Sequence, residues 1–128
     1  MNTDQYIGIP FKEHGRGFDG CDCWGLVRLV YQCELGIKLT DYSEKYDSCV
    51  QDKDIPVLIS DEAAKWQRVE NVEPLDVLLL IDRGRPGHIA VALDGRRMLH
   101  TTIGVDACIE DFTTGKWRDK LAGIYRHK

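Results

Sequence analysis

Apolar residues at positions 23, 26, 27, 30 and 33 recur at spacings of three and four, which predicts a helix beginning near Cys23 with one buried stripe. Asp22 is suited to cap its start, because a carboxylate accepts an orphan backbone N–H, and Gly36 is suited to stop it in the left-handed conformation. From residue 76 the pattern changes. Val77 to Ile81 is a continuous apolar run fit for a central strand, and His88–Leu93 and Arg97–Thr101 read as two strands around Asp94-Gly95, a hairpin signal. Val105–Ile109 and Ala122–Arg126 read as further strands. Residues 1–22, with Gly8, Gly15, Gly17 and Gly20, read as irregular surface chain; 37–59 read as loop, and Ser60-Asp61-Glu62 opens a short helix through Trp66. One helix followed by antiparallel strands is an α+β pattern. With no repeat and no linker, residues 1–128 are read as a single domain.

Composition narrows the partners. At 128 residues, 43% hydrophobic and 30% charged, the chain can bury a core without staples. A net charge of -4, with basic residues scattered, argues against nucleic acid, which needs a basic stripe. No apolar run approaches the roughly 20 residues that span a bilayer, so membrane insertion is not expected. The polar start Met1-Asn2-Thr3-Asp4-Gln5 lacks a signal-peptide layout, and synthesis in the cytoplasm is expected. Five cysteines, an odd number without framework rhythm, read as thiols.

Cys23 falls in the first turn of the predicted helix, where backbone N–H groups and the helix dipole favour a thiolate. His88 opens a strand straight out of Gly84-Arg85-Pro86-Gly87 and is the residue type that serves a cysteine nucleophile as base. His100 is tested by hairpin parity. A two-residue Asp94-Gly95 loop would put the two histidines on opposite faces, whereas any odd loop keeps them on one face. The reading adopted is a three-residue loop, Leu93-Asp94-Gly95, with Gly95 in a left-handed bulge. It sets His88 directly opposite His100, roughly 5 Å apart at Cβ, on a face whose small Ala90 and Ala92 leave room for the helix. His88 then acts on Cys23, and His100 orients it. A metal site from Cys21, Cys23, His88 and His100 is disfavoured by the Cys-x-Cys spacing, so neither metal nor cofactor is expected. Cys33 and Cys108 read as small hydrophobes, His14 and His127 as surface groups, Trp66 and Trp117 as packing residues, and Asp41, Glu44 and Asp47 as a solvated loop.

These motifs together resemble the NlpC-type family of papain-like cysteine peptidases. Asp22-Cys23-Trp24-Gly25-Leu26-Val27 is similar to its Asp-Cys-x-Gly helix start, Gly87-His88-Ile89-Ala90-Val91-Ala92-Leu93 to its histidine strand, and Met98-Leu99-His100 to the next strand, which ends in a polar partner. Tyr6-Ile7-Gly8 resembles the upstream Tyr-x-Gly, whose tyrosine sits at the oxyanion site. The resemblance implies a papain-like fold, with an N-terminal helix carrying the nucleophile packed on an antiparallel sheet of about five strands. It implies catalytic Cys23, His88 and His100, with Tyr6, Asp22 and Trp24 at the oxyanion or substrate side; for Trp24, core packing is the equal alternative. The implied substrate is a bacterial cell-wall peptide cut near its D-glutamyl–diamino-acid bond. Trp24 and the long stretch from Tyr6 to Cys23 are similar to the branch carried by tailed phages and prophages, which implies a virion tail setting and tail-protein partners. Leu75 stands where that family has glycine. The rival readings are an inactive structural or assembly protein of a tail, and acyl transfer by the same residues.

Overall fold

The structure, a computed structural model, describes residues 1–42 and 65–128. Residues 60–64 of the expected short helix and most of the expected loop, including Glu44, Asp47 and Cys49, lie outside the described residues, and Trp66, placed at the end of that helix, opens a strand instead.

Helix α1 spans Cys23–Leu35. Its start is set by Asp22, whose Oδ1 accepts the Gly25 N–H at 2.8 Å and so satisfies one first-turn donor. Its end is set by Gly36 at φ 66°, where the Gly36 N–H reaches the Gln32 carbonyl and the Ile37 N–H the Tyr31 carbonyl. The buried stripe runs through Cys23, Leu26, Val27, Val30 and Tyr31. Cys33, at the stripe's margin in the last turn, is exposed instead of buried. The glycine-rich opening is not wholly irregular: β1 (Arg16–Gly17) and β2 (Gly20–Cys21) form an antiparallel ribbon beside the helix start. A Cβ on Gly25 would lie 2.0 Å from the Gly15 carbonyl oxygen, so only glycine lets the chain before the ribbon seat against α1.

The expected strands are all present, as β4 (Val77–Asp82), β5 (Arg85–Ala92), β6 (Arg97–Thr102), β7 (Val105–Asp111) and β8 (Leu121–His127). A sixth, β3 (Trp66–Arg68), is too short for alternation to reveal, and it makes the sheet larger than expected. The antiparallel order is β3-β8-β4-β5-β6-β7. One face takes α1, with Leu26, Val27, Val30 and Tyr31 packed on Val77, Leu79, Ile89, Val91 and Leu99. The other face carries Leu78, Leu80, Ala90, Ala92, Met98 and Ile124 beneath Phe112 and Trp117, the last at the end of a 3-10 turn, Gly115–Trp117. No helix among the described residues is long and apolar enough to cross a membrane.

The β5–β6 register corrects the expected hairpin. Val91 pairs with Leu99 and Ala92 with Met98, and the Leu93 N–H bonds the Arg97 carbonyl. The turn is therefore centred on Asp94-Gly95-Arg96, one pair further along than expected, and Gly95 is not at positive φ. The cause is Asp94, whose Oδ1 accepts both the Arg96 and Arg97 N–H groups at 2.8 Å and fixes the turn through its side chain.

Candidate active site

Cys23 stands where a helix dipole and a rigid anchor converge. Asp22 is fully buried and spends both oxygens on the chain around it: Oδ1 on Gly25 N–H and Arg16 Nη1 at 2.9 Å, Oδ2 on the His14 N–H at 3.0 Å. Arg16 in turn bonds Asp41 at 2.9 Å, which ties that acidic residue into the fold. Asp22 thus positions the helix start and is closed to substrate. Cys21, also fully buried, has its thiol pushed up to about 12 by burial and by the Asp22 charge, so it is an inert packing residue.

Two further residues expected at the substrate side lie elsewhere. The Tyr6 hydroxyl donates to Glu34 at 2.7 Å, at the far end of α1 and about three turns from Cys23. Burial and that acidic partner raise its pKa, and the ring stacks on Phe18. Tyr6 therefore fastens the N-terminal segment to the helix and does not reach an oxyanion at Cys23. Trp24 is buried, gives its indole N–H to the Thr40 carbonyl at 2.9 Å and packs on Tyr42; of its two readings, the structure shows packing.

His88 and His100 do come together. Parity keeps both on one face, and although the register makes them diagonal neighbours, the rings bridge the gap: His88 Nε2 lies 2.8 Å from His100 Nδ1. His100 Nε2 lies 2.9 Å from Oε1 of Glu110, on β7. A carboxylate only accepts, so His100 Nε2 carries the hydrogen there; His100 Nδ1 is then a lone pair that takes the Nε2–H of His88. The relay leaves His88 Nδ1 as its free base. Burial, reinforced by the charges of His100 and Lys116, lowers the His88 pKa to about 3; burial also lowers that of His100 against the pull of Glu110. Both rings are neutral near pH 7.

Trp117 covers this relay. Its ring stacks on His88 with centroids 5.0 Å apart and meets His100 edge-on at 5.6 Å. Its indole N–H is buried and has no partner. Sequence reasoning missed both Trp117 and Glu110. Neither has a local signature, since each is recruited only by a strand register and a turn that follow distant residues.

The helix does not lie on the small-residue face as expected. It packs on Ile89 and Val91, while His88 and His100 project with Ala90, Ala92 and Met98 toward Trp117. Cys23 is buried on the helix side, and among the described residues no hydrogen bond links it to either histidine. The histidine relay is assembled; the thiol is not joined to it.

A helix-borne cysteine followed by an antiparallel sheet with a histidine relay is the layout of a known class. Residues 8–126 match the NlpC/P60 family, and the chain belongs to that family. Over 98% of its length it is 27% identical to the gamma-DL-glutamyl hydrolase of Bacillus subtilis (strain 168), of which it spans 28%. Among solved structures it is similar to the NlpC/p60 domain of the peptidoglycan hydrolase SagA, with a TM-score of 0.65 and 21% identity over 94% of this chain and 89% of that one. An NLP/P60 protein similar to lipoprotein from Staphylococcus aureus gives a TM-score of 0.64 and 23% identity, over 94% of this chain and 37% of that one.

Proposed function

We propose that the protein is a cysteine hydrolase of bacterial cell-wall peptides, cutting at the D-glutamyl–diamino-acid bond. The observation that carries this reading is the polarised relay Glu110–His100–His88, which ends on a free Nδ1 in a chain whose helix begins with Cys23. The bond follows the sequence resemblance, and the relative named a gamma-DL-glutamyl hydrolase supports its glutamyl side. In the mechanism, His88 Nδ1 takes the Cys23 proton as the sulfur attacks the scissile carbonyl. The backbone N–H of Cys23, a first-turn donor with no acceptor inside the helix, faces the oxyanion. The proton on His88 passes to the departing amine, leaving a thioester that water hydrolyses. Because His88 is neutral under Trp117 and projects from the sheet face opposite Cys23, the thiolate–imidazolium pair is not preformed; it requires the start of β5 to move as substrate binds and bring His88 to Cys23.

The setting proposed is a phage or prophage tail, with tail proteins as partners and synthesis in the cytoplasm, supported by the likeness of Asp22-Cys23-Trp24-Gly25-Leu26-Val27 to that branch. One observation favours a second reading, a tail structural protein that keeps the fold without activity: Cys23 makes no hydrogen bond to the relay. Incubation with a defined muropeptide decides between them. The hydrolase reading expects cleavage by the wild type that is absent from Cys23→Ala, Cys23 acting as nucleophile; equal, null traces from both proteins leave the structural reading.

A further inference from the structure

The relay's outer end holds a group the hydrolysis does not use. His100 on β6 pairs directly with Cys108 on β7, and Glu110 follows two residues along the same face of β7. The His100 Nε2, Cys108 Sγ and Glu110 carboxylate atoms all lie within 4.8 Å of one another. Zinc bonds of 2.0–2.3 Å in a tetrahedron need donors roughly 3.3–3.8 Å apart, so the widest separation has to close by about 1 Å, within reach of side-chain rotation. β7 is the edge strand, Cys108 is half-buried and the Glu110 side chain is 42% exposed, so a cation has a way in and water can take the fourth position. Thiolate, imidazole and carboxylate together suit a thiophilic divalent ion of the zinc class, whose charge the two anionic donors balance.

We propose that His100, Cys108 and Glu110 form a binding site for a thiophilic divalent cation, and that its occupancy switches off the proposed hydrolase through the relay. A metal takes the lone pair of His100 Nε2, so the ring hydrogen of neutral His100 moves to Nδ1. That N–H then donates to His88 Nε2, and the hydrogen of His88 moves to Nδ1, the atom that serves Cys23 as base. Ring hydrogens are conserved, and the Cys108 thiol releases one proton to solvent. The inhibitory half of this proposal rests on the hydrolase reading; the binding half does not.

The test uses Cd²⁺ as a spectroscopic probe and Zn²⁺ as the inhibitor, on the wild type, Cys108→Ser and, as a control at an exposed thiol, Cys33→Ser. Binding predicts one equivalent of ultraviolet thiolate-to-cadmium charge-transfer absorption in the wild type and Cys33→Ser, absent from Cys108→Ser. Inhibition predicts that equimolar Zn²⁺ slows muropeptide cleavage at least tenfold in the wild type, while Cys108→Ser keeps both its metal-free rate and its rate with Zn²⁺. Absorption that survives in Cys108→Ser overturns the site. Absorption confined to Cys108 without slowing overturns the switch. Absence of cleavage without metal strikes the hydrolase reading alone, since the cadmium band is read independently of it.

Discussion

The start of α1 and the histidine relay are both built around buried polar groups, but by opposite means. At the helix start, Asp22, His14, Arg16, Gly25 and Cys23 lie within a dozen residues of one another, and each bond closes a short loop. In the relay, His88, His100, Glu110 and Trp117 come from three strands and a turn, and every contact depends on a register set elsewhere. The first is held by capping and an ion pair and is insensitive to sheet slippage. The second would come apart with a one-residue shift in either hairpin, since such a shift turns the side chains to the other face. The proposed nucleophile thus sits on a locally determined anchor, and its proposed base on a globally determined one.

Breaking each region separately sharpens the contrast. Trp117→Ala removes the indole from over both histidines and should cost about 4 kcal/mol, read by chemical denaturation, with the His88 pKa rising toward its ordinary value by NMR titration as burial is relieved. Asp22→Ala strips the cap and removes the buried one of the two carboxylates that pair with Arg16, leaving Asp41, and should cost about 2 kcal/mol. It should leave the His88 titration unmoved, because the relay shares no bond with Asp22.

Acid should attack the relay and spare the cap. The folded His88 pKa is near 3, and that of His100 is lowered too, whereas both unfolded groups titrate near 6.5. The unfolded chain therefore takes up protons first as the pH falls. The stability held by neutral histidines is complete above about pH 6.5 and drains away toward pH 3, at no more than about 1.4 kcal/mol per pH unit for each group. Denaturation curves at pH 7.5, 6.5 and 5.5 should show this slope in the wild type and a shallower one in His88→Gln.

The smallest effect is expected at Leu75, a non-glycine residue at φ 73° where the family has glycine. Leu75→Gly should relieve about 1 kcal/mol of left-handed strain, against which the lost packing and glycine's greater unfolded freedom count. A gain in thermal midpoint means that strain outweighs both; a loss assigns Leu75 to packing.

The same division explains what the sequence disclosed. Helix limits, five strands and the shared face of His88 and His100 follow from periodicity, capping residues and parity, all of which are local. The hairpin loop lies one pair beyond its expected place because Asp94 turns the chain with its side chain, an option that the Asp-Gly signal does not display. Ala90 and Ala92 look like clearance for the helix, yet Ile89 and Val91 offer it more apolar area, and the helix packs there. Likeness alone points Tyr6 to the oxyanion, but its hydroxyl is taken by Glu34, which no local pattern links to it.

The central claim is that the relay activates Cys23. Limiting iodoacetamide across pH 5 to 9, with the label located by mass spectrometry, tests it most directly, because exposed Cys33 supplies an internal reference for an ordinary thiol. The account predicts that a non-cleavable muropeptide, by bringing His88 to Cys23, makes Cys23 alkylated faster than Cys33 below pH 8, and that His88→Ala abolishes that gain. Cys33 labelling first at every pH even with that muropeptide, and Cys23 indifferent to His88→Ala, would contradict it and leave the fold as scaffold.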